Sequence, residues 1–316
     1  MRVLVTGSSG FVGRHLVRHL VESGHEPLCF DRVEPSGQQD LSHPTHIGDL
    51  QNAAGIAEHV KTVKPDGCIH LGGIAFVPMG WIDPNLVFSV NLIGTVNLLE
   101  AFRAEAPTAR MVVVTSSEVY GMMPRQEVIT EDFPLTPSGL YGVSKMAADL
   151  SAQLYAKRYG MPVVVARPLN HIGPGQSPRF VTSAFAAQLI DIARQKRDPA
   201  IRVGNLETDR DFTDVRDVVR AYRLLLEKGR PGEAYNIASG TRIKIKTILD
   251  QLCDLAGVHP RIDIDPGLFR PTDSSPIIET AKIRNETGWR PGMPLRITLQ
   301  DILGSMLRNA SPANPK

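Results

Sequence analysis

The sequence predicts an α/β chain, a doubly wound parallel sheet with a smaller lobe at its C-terminal end. Three observations predict it. Short, continuously apolar runs rich in Val, Ile and Leu recur through the first half, as parallel strands covered on both faces require. Amphipathic helical patterns separate them in a β-α-β rhythm. A glycine-rich turn joins the first run to the first helical pattern, which marks a Rossmann-type sheet.

The apolar runs are "VLVT" (3–6), "PLCF" (27–30), "GCIHL" (67–71), "MVVVT" (111–115) and "PVVVA" (162–166). After the first, "FVGRHLVRHLVESG" sets Phe11, Val12, Leu16, Val17, Leu20 and Val21 at helical spacing. A longer helical stretch, "NLVFSVNLIGTVNLLEAFRAEAP", precedes the fourth run. Beyond residue 170 the texture changes. "NHIGPGQSP" reads as loop, 180–196 as helix and "IRVGN" as a short strand. "VRDVVRAYRLLLEKG" is a helix ending at glycine, and "EAYNIASG" a further strand. The tail, 241–316, holds two or three helices separated by "FRPTDSSP" and "GWRPGMP". The expected division is a nucleotide-binding domain over 1–169 with about 212–240, and a second lobe from 170–211 and 241–316.

The 316 residues suit one large domain or two interlocked ones. Hydrophobic content of 42% and charged content of 22% belong to an ordinary globular protein. A net charge of +2 gives no footprint for nucleic acid or an anionic membrane. Cys29, Cys68 and Cys253 are far apart and form no CxxC pair, so they read as buried thiols in a reducing compartment, and no metal site is expected. The chain enters its first strand at once with no leader-like stretch, and no run reads as long and apolar enough to span a bilayer. The expected location is the cytoplasm.

"VTGSSGFVG" places Gly7, Gly10 and Gly13 after the first strand and at the head of the first helix. Glycine lets the backbone turn tightly and approach a pyrophosphate, and the helix N-terminus offers N–H groups to that anion. Asp31, ending "CFD", is placed to accept both ribose hydroxyls of an adenosine and to repel a 2′-phosphate. That favours NAD over NADP, although Arg32 could hold such a phosphate. Asp49 in "GDL" could meet the adenine edge, and Gly72 and Gly73 in "HLGG" leave room beside a cofactor. His70, in an apolar run, reads as a core histidine.

"YGVSK" sets Tyr141 and Lys145 on one helical face, where the ammonium is expected to favour the phenolate. Upstream, "TSSEVYG" supplies Ser116, Ser117 and Glu118, with Tyr120 taken as structural.

Together these residues resemble the extended short-chain dehydrogenase/reductase family, nearly end to end. The resemblance implies an NAD(H) or NADP(H) cofactor. Tyr141 would exchange a proton with a sugar oxygen, Lys145 would hold the nicotinamide ribose, and Ser116, or Ser117 if the alignment slips by one, would hydrogen-bond the reacting oxygen. Ser9, Phe11, Val12, Leu50, Leu71, Asn91, Thr115, Pro168, Asn170 and His171 would complete the cofactor contacts. It also implies a homodimer through a four-helix bundle, with Met146, Leu150 and Leu154 facing either the partner or the sheet.

The second lobe resembles a nucleotide-sugar clasp. "ARPLNHIGPGQSPRFVT" would place Asn170, Arg179, Phe180 and Val181 near the substrate, and "VGNLETDRDFTDVRDVV" would add Asn205, Leu206 and Arg210. "FRPTD" would add Arg270 and Asp273, the two arginines gripping a diphosphate. The wording is similar to enzymes of GDP-mannose metabolism, nearest the reductases that make GDP-D-rhamnose (GDP-6-deoxy-D-mannose) from a GDP-6-deoxy-4-ketohexose. A 4,6-dehydratase, in which Glu118 would be the C5 base, and a nucleotide-sugar 4-epimerase are the rival enzymes. A non-catalytic NAD(P)-binding regulator is a rival of another class, disfavoured by the intact Ser116, Tyr141 and Lys145 set.

Overall fold

The computed structural model describes residues 1–34, 43–122, 127–269 and 277–309. The first half alternates strand and helix: β1 (Arg2–Thr6), α1 (Phe11–Glu22), β2 (Glu26–Asp31), β3 (Thr45–Ile47), α2 (Ala53–Val63) and β4 (Gly67–His70). It continues through α3 (Gly94–Glu105), β5 (Arg110–Val114), α4 (Leu140–Tyr159) and β6 (Val163–Pro168). Then come α5 (Val181–Ala193), α6 (Val215–Lys228), β7 (Ala234–Ile237), α7 (Ile245–Ala256), α8 (Ala281–Thr287) and α9 (Leu295–Asn309).

Seven strands form one parallel sheet in the order β7-β6-β5-β4-β1-β2-β3. The order reverses between β1 and β4, and such a switch point opens a crevice at the carboxyl ends of the strands. The strands are apolar throughout because both faces are covered. Val3 and Val5 pack under α1 and α6 with Leu16, Leu20, Val218 and Tyr222. Leu4, between them, packs on the other face with Ile56, Val60, Leu98 and Phe102. A separate apolar cluster joins α5, α7 and α9 through Leu189, Leu249, Leu252 and Ile302.

The strand readings lie within three residues of the observed strands, and "EAYNIASG" supplies the edge strand β7. The three cysteines are free and buried. Two readings are corrected. Val21, placed on the buried face of α1, is 43% exposed. The helical run Pro84–Glu105, 22 residues, is long and apolar enough by length and composition to cross a bilayer. Here 44% of its apolar window is buried inside the protein, with Leu98, Leu99 and Phe102 fully enclosed under the sheet. Its π-helical turn, Ser89–Ile93, centres on Asn91.

Candidate active site

A cleft of about 930 Å³ runs along the carboxyl ends of the strands, within the size range of small-molecule sites. One wall is the glycine turn. Gly7 has φ of +72°, and a side chain there would meet Gly72 N at 2.9 Å. A Cβ on Gly13 would lie 2.1 Å from the Gly7 carbonyl oxygen, so glycine alone lets α1 sit against the turn. Gly10 caps α1 without a side-chain bond, and no acidic residue stands in the first turn. The free N–H groups of that turn therefore face the cleft, where Phe11, Val12 and Gly13 form its lining.

Asp31 ends β2, and its carboxylate accepts the Ser9 N–H at 2.9 Å and the Arg32 N–H at 2.7 Å. Arg32 is exposed beside it. Asp49, Leu50, Leu71, Gly72 and Gly73 continue the wall. His70 lies beneath it, bonded through Nδ1 to Thr6 Oγ1 at 2.7 Å and through Nε2 to Thr95 Oγ1 at 3.0 Å. Burial, with the Lys145 charge behind it, lowers His70 to about 3, so it is a neutral core residue.

Across the cleft, the segment after β5 and the first turns of α4 come together. Ser116 caps the short helix Ser117–Tyr120, its hydroxyl accepting the Glu118 N–H at 3.2 Å. The same hydroxyl hydrogen-bonds Tyr141. Thr115, Ser116, Ser117, Glu118, Tyr141 and Lys145 all line the cleft. The Lys145 Nζ donates to Val114 O at 3.2 Å. Tyr120 is fully buried and donates to Asn236 Oδ1 at 2.7 Å.

The expected lowering of Tyr141 by Lys145 is corrected. Burial pushes the Tyr141 phenol well above its ordinary value, the Ser116 hydrogen bond opposes the rise, and the Glu118 charge adds to it. Burial also draws Lys145 down to about 8. Desolvation penalises phenolate and ammonium alike, and here it dominates both groups.

The second lobe supplies the far wall. Asn170, His171, Arg179, Phe180, Val181, Asn205 and Arg210 line it, next to Pro168 at the end of β6. Arg179 lies over the Phe76 ring at 5.6 Å, and His171 stacks on Phe11 with ring centroids 6.2 Å apart. Two expected contacts lie off the lining. The Asn91 side chain accepts the Ile74 N–H at 2.7 Å and donates to Ser144 Oγ at 3.1 Å, so it shapes the 72–74 loop instead. Leu206 packs into the lobe's own core. Arg270 and Asp273 fall outside the described residues.

Sequence reading missed Arg202, Ile74, Val77, Gln176 and Tyr222, which also line the cleft. Arg202 ion-pairs with Asp265, Nε to Oδ2 at 2.7 Å. Its position in "IRVGN", as the exposed residue of an alternating strand, was the available signal. Tyr222 carried none, because it sits wholly within an amphipathic helix pattern. Among the described residues, no group of three or more His, Cys, Asp or Glu could hold a metal ion.

The chain matches the family model described as GDP-mannose 4,6 dehydratase over residues 4–302. It is 35% identical to a GDP-6-deoxy-D-mannose reductase from Pseudomonas aeruginosa, over 96% of each chain. Among solved structures it is similar to RMD from Pseudomonas aeruginosa complexed with NADPH, with a TM-score of 0.85, 33% identity, and 96% and 98% of the two chains covered. It is also similar to a Thermus thermophilus UDP-glucose 4-epimerase complexed with NAD, with a TM-score of 0.86, 27% identity, and 98% and 100% covered. The glycine cradle and the Ser116–Tyr141 contact thus occur in a chain that belongs to the GDP-mannose 4,6-dehydratase family of extended short-chain dehydrogenases/reductases.

Proposed function

We propose that the protein reduces the C4 ketone of a GDP-6-deoxy-4-ketohexose to GDP-6-deoxy-D-mannose, using NADH or NADPH. The single observation that carries this is the 35% identity to a GDP-6-deoxy-D-mannose reductase over 96% of both chains. The cofactor fits this cleft, since Gly7 and Gly13, where a side chain would strike neighbouring backbone, let the turn close against α1 and present the helix N-terminus to a pyrophosphate. Gly7, Gly10 and Gly13 would hold the pyrophosphate and Asp31 the adenosine ribose. Asp31 favours NAD(H), with NADP(H) accommodated by Arg32.

A reduced nicotinamide, when bound, supplies the hydride. Tyr141 then gives its proton to the oxygen at C4. Its pKa, raised by burial, keeps that proton in place until charge develops. Ser116, already bonded to the Tyr141 hydroxyl, steadies the same oxygen. Lys145 holds the ribose side of the cleft, anchored by Val114 O. Arg179, Arg202 and Arg210 line the lobe side, Arg202 already paired with Asp265, and would meet the diphosphate.

A 4,6-dehydratase is the second reading, favoured by Glu118, which lines the cleft close enough for its charge to raise Tyr141. A homodimer is also proposed. Leu150 and Leu154 on α4 are 43% and 61% exposed, and Ile93 at the head of the α3 run is 50% exposed, so both helices present apolar side chains outward.

The test is the C4 configuration of the product. Purified protein, the keto-sugar and reduced cofactor should yield GDP-6-deoxy-D-mannose by NMR. The C4 epimer, or no product, would overturn the assignment.

A further inference from the structure

One buried ion pair grips both ends of the segment that carries Ser116 and Glu118. Asp149 sits on the buried face of α4 that also holds Tyr141 and Lys145. Its carboxylate is fully enclosed and accepts Arg167 Nε at 2.8 Å and Nη2 at 2.9 Å. It also accepts Thr115 Oγ1 at 3.0 Å and Gln153 Nε2 at 2.6 Å. Arg167, in β6, turns its remaining nitrogen the other way. Nη1 donates to the Tyr120 hydroxyl and to the Glu131 carbonyl, both at 2.9 Å. The guanidinium also lies over the Tyr120 ring at 5.3 Å.

Thr115 immediately precedes Ser116, and Tyr120 closes the short helix Ser117–Tyr120. The pair therefore holds the entry of the segment through Asp149 and its exit through Arg167. Asp149 is at the same time part of the helix that carries Tyr141. A buried ion pair adds little net stability over apolar residues of like volume. What it adds here is direction, because the guanidinium fork fixes several partners at once.

We propose that Asp149 and Arg167 form a positioning pair that sets the Ser116 segment against the Tyr141 helix and so aligns the reacting hydroxyls. This rests on the reading of Tyr141 and Ser116 as the reacting groups. Misplacement by a fraction of an ångström lowers turnover much more than binding, since the substrate's grip on the lobe is untouched.

The experiment compares the full chain with Thr115→Val, Tyr120→Phe and the double variant Asp149→Leu/Arg167→Met. Each is isotope-labelled at tyrosine Cζ. The Tyr141 resonance is identified by its loss in Tyr141→Phe, and Ser116→Ala marks its position without the Ser116 bond. Thr115→Val and Tyr120→Phe each cut one link and leave the ion pair in place. Both should fold and lower kcat about tenfold, with KM changed less than about twofold; Tyr120→Phe should also melt somewhat lower, because Asn236 Oδ1 loses its donor. In both, the Tyr141 resonance should move toward its Ser116→Ala position. The double variant should fold and show the larger loss of both; if it does not fold, the single variants decide. Wild-type kcat together with an unmoved Tyr141 resonance in the folded variants would overturn the proposal. A wild-type protein inactive on the keto-sugar would instead overturn the reductase reading, and the resonance would still test the positioning.

Discussion

The two walls of the cleft are built by different means. The cofactor wall is mostly backbone: a glycine turn, the N-terminus of α1, and the ends of β2 and β4. Its polar side chains are tied within the fold, as with Asp31 to Ser9 N–H and His70 to Thr6 and Thr95. The lobe wall relies on long side chains, with Arg179 and Arg202 both exposed. A backbone wall fixes the shape of its ligand and tolerates almost no substitution. A side-chain wall can be altered one residue at a time, which would suit the proposed part in selecting a sugar and a base.

This contrast can be broken most sharply at Gly13. Gly13→Val would drive a side chain into the Gly7 carbonyl, so the variant should lose cofactor binding altogether by fluorescence titration. Retained affinity would mean that the turn is not the pyrophosphate cradle. Next in size is Tyr141→Phe. It should lower turnover about a hundredfold or more while the cofactor binds as in wild type. A loss of cofactor affinity as large as the loss of turnover would place Tyr141 in binding.

Arg210→Ala should act on the other wall, raising KM for the nucleotide-sugar about tenfold with kcat little changed. Asp31→Ala should raise the relative preference for NADP(H) by a similar factor, seen in the ratio of kcat/KM for the two cofactors. A last effect concerns Lys145 and is read in stability rather than in turnover. Its folded pKa is about 8 against an ordinary 10.5, so between those values the unfolded chain binds more protons. Stability should rise with pH across that window, by roughly 3 kcal/mol at most. Lys145→Met should remove that rise, leaving the opposite trend set by the buried thiols, whose raised pKa values lower stability as pH climbs, in pH-dependent denaturant melts.

What was legible in the sequence follows the same division. The glycine turn, Asp31 and the Tyr141–Lys145 spacing are local patterns, and each lies within a stretch whose strand or helix could be read from apolar periodicity. Tyr222 reaches the cleft only because distant elements converge, so no local spacing announced it, and Arg202 was marked only by its exposed place in an alternating strand. Asp149 and Arg167 carried no local signal either, since only the fold buries them together. At Pro84–Glu105 the reading underrated how apolar the run is, and hydropathy in any case records how apolar a helix is and not what covers it. Spacing misled on the Tyr141 phenol, because putting two residues on one face says nothing of how dry that face is.

The central claim is that the cleft delivers hydride to a ketone rather than eliminating water. The most direct test offers the protein GDP-mannose alone and, separately, GDP-4-keto-6-deoxymannose with NADH or NADPH, following cofactor absorbance and product mass. Oxidation of the reduced cofactor with the keto-sugar, and no reaction with GDP-mannose, is the expected result. Loss of water from GDP-mannose without added reductant would contradict it and make Glu118 the base at C5.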